Sequence, residues 1–575
     1  MGGPAFACKP RPVNPAILFD VDGYSLGGPK LMGRQSAGHG FLRAAVRAHA
    51  GQPIHAVTPT RAAAETFGEV VRGLDPKAQP RWIPSSRLDA LAARGLFYRP
   101  DGNIVVHARE RLRVGPASYS ICGVTHTLSS HGPADAMTEM VAGPVMAWDA
   151  VICTSTAART FVEDRLAAQE DLLAWRFGQR LATPRPQLPV IPLGVHCEDF
   201  ASAPGDRAQA RKVLGLAEDE VCALFAGRLT FNAKIHPFQT YVALERVAQA
   251  TGRKLVLVHA GQFASPAIET TYRSAVAQWA PSVRVVFVAG GDAAAFAGAW
   301  RAADLFVSLS DNIQETFGIT PVEAMASGLP VLVSDWDGYK DTVRDGVDGF
   351  RIPTWAPGPG AGVGIALDHE VGVNNYDHFL SRTSTSTSVE PRALTAALTA
   401  LVENEALRRH LGEAGRERAR SEFDWAVVYG RYQALWRELG EIRARAAADP
   451  ELRLADAPRA APTRPDPYTA FAHYPTHHLD LSTRVRATSG ASVAAYEAIT
   501  AHAMFMYWRS PPELVGRTLT ACAEGLGIAE LAAQLAEPPL AVLELIARLA
   551  KMELILIEAP DPPRGLPGGL NGPGA

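Results

Sequence analysis

The stretch Leu305-Phe306-Val307-Ser308-Leu309-Ser310-Asp311-Asn312-Ile313-Gln314-Glu315-Thr316-Phe317-Gly318-Ile319-Thr320-Pro321-Val322-Glu323-Ala324-Met325-Ala326-Ser327-Gly328-Leu329-Pro330-Val331-Leu332-Val333-Ser334 decides the fold. An apolar run of strand length, Leu305–Ser308, passes through a polar loop into a helical pattern at Pro321–Ser327. Another apolar run follows at Pro330–Ser334. Pro321 suits the first helical position, where its missing N–H has no partner to lose. Thr320 is then the N-cap, and Glu323, three residues on, completes the spacing of a capping box.

Outward from this unit, short apolar runs alternate with helical patterns along most of the chain. The first half offers strands at 16–20, 54–58, 104–107, 120–125, 151–154 and 189–191. The second offers 221–226, 254–260, 283–288, 305–308 and 330–334, with a helix at 238–250 among them. Many runs are apolar almost throughout, as strands of a parallel sheet covered on both faces require. Two such series predict two Rossmann-like, doubly wound α/β domains, 1–200 and 201–425, facing a cleft at the carboxyl ends of their strands. The junction falls near 199–217, after the turn-rich Pro192-Leu193-Gly194. Gly and Pro crowd 353–364, which reads as a surface loop, and 383–388 reads as a further exposed Ser/Thr segment. Helical periodicity returns at 391–422 and 425–446. A Pro-rich linker at 448–468 leads to a small, mainly helical, winged-helix-like module at 469–560. The Gly/Pro-rich tail, 561–575, is expected to be disordered.

Composition excludes several classes. The 575 residues exceed what one core accommodates. A net charge of −3 leaves no electrostatic reason for a nucleic-acid partner. The six cysteines are scattered without a C-x-x-C pair, as in a reducing cytoplasm, and Cys122, Cys153 and Cys222, inside apolar runs, read as small buried hydrophobes. The first apolar run, Ala16–Phe19, is too short for a signal-peptide core, and no run approaches a membrane span. A cytoplasmic protein is expected, with peripheral membrane contact left open.

The segment from Glu315 to Val331 resembles the E-x7-E signature of retaining glycosyltransferases, family 4 above all, which runs approximately E-T-F-G-x-x-x-x-E-A-M-A-x-G-x-P-V. Glu315 and Glu323 stand eight apart and nearly every intervening feature matches. The resemblance implies the GT-B fold, with an acceptor-side first domain and a nucleotide-sugar donor second domain. It also implies that Glu315 holds the donor sugar and Glu323 the ribose. The chemistry accounts for these residue types. A departing nucleoside diphosphate needs its growing charge stabilised, and helix N-terminal amides supply donors and a positive dipole end. Thr316, Phe317, Gly318 and Ile319 are the corresponding donor-binding positions, Gly318 allowing close backbone approach.

A second element, Phe225-Ala226-Gly227-Arg228-Leu229-Thr230-Phe231-Asn232-Ala233-Lys234, resembles the family's G-R-L-x-x-x-K, whose Arg and Lys grip the diphosphate. Their charges take the part a metal plays in many phosphate-transfer enzymes. Here Lys234 comes six residues after Arg228, and Ile235 replaces the glycine that often follows the lysine. Gly27 and Gly28 resemble the glycine pair that approaches the donor phosphates. Gly123–Leu128 resembles the strand end whose histidine, here His126, faces the transferred sugar. Pro192–Phe200 resembles the P-N-G-V-D-x-x-x-F junction, departing at Leu193 and His196, and 420–436 resembles the terminal crossing helices, which implies that 426–447 crosses back onto the first domain. Asp335-Trp336-Asp337 imitates a D-x-D metal motif but sits after the strand 331–334 and before Gly338, where the family has a variable loop near the donor sugar, so no metal role is expected of it. The resemblance covers about residues 15–440.

Its implications are transfer from a nucleoside-diphosphate sugar, a UDP-sugar favoured, with retention of configuration and with no cofactor or metal required. Arg228, Lys234, Glu315 and His126 are then the catalytic candidates. The acceptor is left open among glycan, lipid-linked, small-molecule and protein classes, and the C-terminal module is a candidate site for a protein partner. The competing readings are a non-catalytic sugar-nucleotide-binding scaffold and another GT-B enzyme such as a sugar-nucleotide epimerase. A winged-helix regulator is disfavoured for want of a basic recognition helix.

Overall fold

The structure, a computed structural model, describes residues 13–24, 33–49, 51–505 and 507–558. The tail at 561–575 and the Gly27-Gly28 pair lie outside the described residues. Residues up to Ala461 form one compact unit and those from Pro462 another.

Among the described residues the first unit contains two six-stranded parallel sheets. The first is built of β1 (Ala16–Leu18), β2 (Pro53–Thr58), β3 (Gln79–Pro84), β4 (Leu96–Tyr98), β5 (Ser120–Val124) and β6 (Ala150–Ile152), in the order β3-β2-β1-β4-β5-β6. The second is built of β7 (Val221–Ala226), β8 (Leu255–Gly261), β9 (Arg284–Ala289), β10 (Leu305–Ser308), β11 (Val331–Ser334) and β12 (Gly349–Ile352), in the order β12-β11-β10-β7-β8-β9. Both orders reverse in the middle, between β1 and β4 and between β7 and β10. These are the switch points at which doubly wound sheets open a crevice. This is the two-domain, Rossmann-like GT-B architecture. β7 and β8 are buried at every residue, the consequence of helices on both faces.

Helix Trp425–Ala447 returns the chain to the first domain. Its buried stripe, Trp425, Val428, Tyr429, Tyr432, Leu435, Trp436 and Leu439, follows the 3.6-residue period and joins Ile17, Phe41 and Tyr98 in one core. The Phe41 ring lies stacked on Tyr98 at 4.2 Å and edge-on to Trp425 at 6.2 Å. At the crossing, the Val195 amide donates to Phe423 O at 2.8 Å and the Trp425 amide to Val195 O at 2.9 Å.

Several expected elements differ. The run at 104–107 is not a strand but opens helix Val105–Arg111, because Ile104, Val105, Ala108 and Arg111 recur on one buried helical face. Apolar runs this short fit either period. At 189–191 only an isolated bridge, Cys153 to Val190, forms, since Pro189 and Pro192 remove ladder donors. Strands β3, β4 and β12 carry weak signals: β3 contains two prolines and is mostly solvent-facing, β4 is three residues long and β12 begins with glycine. The expected loop at 353–364 begins as strand β13 (Thr354–Trp355), paired antiparallel with β14 (Ser388–Val389). The hairpin they close encloses helices Val363–Glu370 and Tyr376–Ser384. The Ser/Thr tract is therefore the end of a helix, its hydroxyls donating back to carbonyls, as Thr383 to Leu380 O at 2.8 Å and Ser386 to Arg382 O at 2.9 Å. The pattern at 391–422 is broken at Asn404, which ends one helix and caps the next by accepting from the Leu407 amide at 2.9 Å.

The second unit packs helices Val493–Thr500, Pro512–Ala521, Ile528–Leu535 and Pro539–Lys551 on an antiparallel sheet, β16-β15-β17, built of β15 (Arg484–Ala487), β16 (Leu526–Gly527) and β17 (Ile555–Glu558). Its core includes Val485, Tyr496, Val515, Leu531 and Ile546. Among the described residues no helix is long and apolar enough to cross a membrane.

Candidate functional site

A cleft of about 560 Å³ lies at the carboxyl ends of both sheets. From the first domain it is lined by Asp101–Asn103, by the loop 125–128 after β5, and by the start of helix His131–Ala142. From the second it is lined by Arg228, Lys234 and the turn 314–320. Glu323 stands outside this lining, one helical turn further in.

The turn after β10 is shaped by Gly318, which has φ +76° and serves as N-cap of helix Ile319–Ser327. The helix therefore begins two residues earlier than Thr320-Pro321 implies. Glu323 is the fifth helical residue rather than the third, so the expected capping box does not form. The group that meets the helix start is Glu315, whose Oε1 accepts from the Gly318 amide at 3.0 Å. Its Oε2 pairs with Lys234 Nζ. Burial raises the Glu315 carboxyl, but the Lys234 charge and hydrogen bond, helped by the Thr316 and Phe317 amides, outweigh it and hold Glu315 below its ordinary value.

The other acids nearby have the opposite balance. Burial pushes Glu323 up to about 7 against the pull of Lys234. Asp311 is pushed up to about 8 by burial, only partly opposed by the His236 amide. Asp337 lies well above the carboxylate range through burial and the adjacent Glu315 charge. Glu315 is thus the acid whose surroundings favour the carboxylate, paired with Lys234 and next to Gln314, which accepts from Arg228. The arrangement is suited to a multivalent anion at a helix start.

The loop carrying Arg228 and Lys234 is tied to the same turn. Asn312 Nδ2 donates to Asn232 O at 3.1 Å, the His236 amide donates to Asp311 at 3.4 Å, and Arg228 Nη2 donates to Gln314 Oε1 at 3.0 Å. The lengthened Arg-to-Lys spacing is absorbed by this pinning. Trp336 Nε1 donates to Asn312 O at 3.1 Å, which fixes the Asp335–Asp337 loop against the turn. His126 lines the opposite wall, with Nε2 hydrogen-bonded to Pro100 O at 2.8 Å. The two walls meet where Ser155 Oγ donates to Thr316 O at 2.6 Å.

Of the expected site residues, Arg228, Lys234, Glu315, Thr316, Phe317, Gly318, Ile319 and His126 all line this cleft. Glu323 is not among the residues that line it, and Gly27 and Gly28 lie outside the described residues. Sequence reasoning missed Asn312, Gln314 and Asp101. Asn312 and Gln314 stand inside the quoted motif, and their polar side chains ahead of Glu315 were the available signal.

Residues 206–356 match the family of glycosyl transferases group 1. This range begins at the helix before β7 and ends just beyond β12, so it comprises the second sheet and the turn at 314–320. Among curated relatives, the D-inositol 3-phosphate glycosyltransferase of Nocardia farcinica is 31% identical over 208 residues, 35% of this chain and 45% of that protein. The enzyme of the same name from Actinosynnema mirum is 33% identical over 198 residues, 33% of this chain and 45% of that protein. The chain spans about half the length of the curated relatives it matches. Among solved structures, Anabaena Alr3699/HepE in complex with UDP superposes with a TM-score of 0.48 at 15% identity, over 74% of this chain and all of that one.

Proposed function

We propose that the chain is a glycosyltransferase of the retaining family 4 type, taking its donor from a nucleoside-diphosphate sugar, UDP-linked by preference, without a metal. The observation that carries this reading is the convergence of Arg228, Lys234 and the Glu315–Gly318 turn on one helix start inside an interdomain cleft. The match of 206–356 to glycosyl transferases group 1 supports it independently.

In this reading Arg228, Lys234 and the amides at 316–319 hold the diphosphate and stabilise the charge that grows on its leaving oxygen. The bond from the anomeric carbon to that oxygen breaks as an acceptor hydroxyl attacks from the same face. The hydroxyl proton passes to the leaving phosphate oxygen. Glu315 accepts from donor-sugar hydroxyls, and His126 faces the sugar from the other wall.

A thermal-shift panel of sugar nucleotides, run in EDTA, tests the reading. A true donor at 100-fold its Kd is expected to stabilise the protein by about 2.7 kcal/mol, and nucleotide release should then require an acceptor. No shift with any UDP-, ADP- or GDP-sugar would overturn it.

Glu323 adds a pH dependence. Because its folded pKa is raised, the folded state binds the proton more tightly, so its contribution to stability is lost as pH climbs from the ordinary carboxylate range toward 7. A ribose hydroxyl donating to Glu323 has the opposite demand, since it needs the carboxylate. Donor affinity is therefore expected to rise by up to about tenfold between pH 6 and 8, in excess of any rise in Glu323→Gln. Calorimetric titration of both proteins measures it, and parallel profiles would refute a ribose contact.

A further inference from the structure

The hairpin between β13 and β14 reaches across the cleft mouth and touches the first domain. The His369 ring stacks on His131 at 4.4 Å and on Phe379 at 4.7 Å, forming a three-ring pile between the domains. Beside it, Tyr376 OH lies 2.8 Å from Ser129 Oγ and accepts from Gln314 Nε2 at 3.4 Å. Gln314 Oε1 in turn accepts from Arg228 Nη2 at 3.0 Å. The orientation is consistent along the chain. Gln314 uses its carbonyl for Arg228 and its amide for Tyr376, which leaves the Tyr376 proton for Ser129.

We infer that Tyr376 is a positioning residue, which sets the Arg228 guanidinium through Gln314 once Ser129 of the first domain has closed against it. The inference rests on the proposed transferase reading and extends it to a residue outside the E-x7-E and G-R-L motifs. The physical reason is preorganisation. A guanidinium on a loop has several rotamers of similar energy, and a partner that accepts in one geometry selects one of them. Here the partner, Gln314, is itself fixed only when Tyr376 occupies its amide. Tyr376 is in turn fixed by Ser129, across the gap. The second domain's cation is thereby aligned by contact with the first domain, so that leaving-group stabilisation is complete only in the closed cleft.

The test compares wild type, Tyr376→Phe, Ser129→Ala and the double variant. In each, donor KM, kcat and thermal stability are measured with a sugar nucleotide that the wild type turns over. Tyr376→Phe keeps the ring and its packing and removes only the hydroxyl. It is expected to lower kcat about tenfold, the loss of one well-placed hydrogen bond, with donor KM within about twofold and Tm unchanged. Ser129→Ala should act likewise, and the double variant should be no slower than the slower single, because both interrupt one chain. The inference is overturned if Tyr376→Phe turns over at the wild-type rate, if its loss appears in Tm rather than kcat, or if the single losses multiply in the double variant. Wild-type protein that turns over no sugar nucleotide would overturn the transferase reading itself, a result distinct from an active wild type with an unaffected Tyr376→Phe.

Discussion

Lys234→Ala is expected to lower kcat/KM by at least ~100-fold, comparable with removing one donor from an oxyanion hole. Lys234 is the main force that keeps Glu315 ionised against its own burial. Without it, burial dominates and the Glu315 carboxyl moves from below its ordinary value to above it. The sign of its pH-linked stability then reverses. In the wild type the folded pKa is depressed, so the stabilisation is present above the unfolded pKa and lost as pH falls through the folded one. In Lys234→Ala the folded pKa is raised, so stability declines as pH rises through the carboxylate range. Breaking a fully buried pair costs roughly 3 to 5 kcal/mol, and the lower end is expected here because the Lys234 side chain is 22% exposed and that of Glu315 14%. Urea unfolding at pH 5 and pH 8 should thus find the larger deficit at pH 8. Adding Glu315→Gln should restore stability without restoring activity. A deficit independent of pH would contradict this electrostatic account, and kcat/KM within threefold of wild type would remove Lys234 from the reaction.

Gly318→Ala is expected to destabilise the protein by about 2 to 5 kcal/mol. Two costs add. An alanine at φ +76° takes the left-handed conformation at about 1 to 2 kcal/mol. Its Cβ is also driven into the Tyr339 ring, and overpacking of this kind costs typically about 1 to 3 kcal/mol. Tyr339 has little room to yield, since it is fully buried and its OH lies 2.7 Å from Ser308 Oγ on β10. Gly346→Ala separates the two costs. Its φ of +72° is nearly the same, but its Cβ would meet nothing within 4 Å, so only the conformational cost applies. Urea midpoints for the two variants give the comparison, and equal losses would refute the packing half of the account. Because Gly318 shapes the turn bearing Glu315 and Thr316, donor-induced stabilisation should fall in Gly318→Ala and persist in Gly346→Ala.

Much of the architecture was readable from local pattern. Five of the six parallel strands of the second sheet were legible, those buried on both faces being apolar at nearly every position, as in Val221–Ala226 and Leu305–Ser308, whereas β12 was not. The first sheet was less so. Leu96–Tyr98 is three residues long, Gln79–Pro84 is an edge strand facing solvent, and Ile104 and Val105 carry an apolar pair that serves a helix as well as a strand.

By itself the sequence determined the two α/β series, which depend on apolar pattern along the chain, while the crossing helix and the candidate roles of Arg228, Lys234, Glu315 and Glu323 came from the resemblance of their motifs. Tertiary structure decided which group occupies the helix start, because a left-handed Gly318 moves the N-terminus forward and substitutes Glu315 for a capping box at Glu323. It also decided the protonation of the surrounding acids, because burial opposes charge, and burial is a property of neighbours drawn from distant segments. The contact of Tyr376 with both Ser129 and Gln314 was likewise beyond the sequence: a hydrogen bond between residues 247 positions apart leaves no periodicity to read.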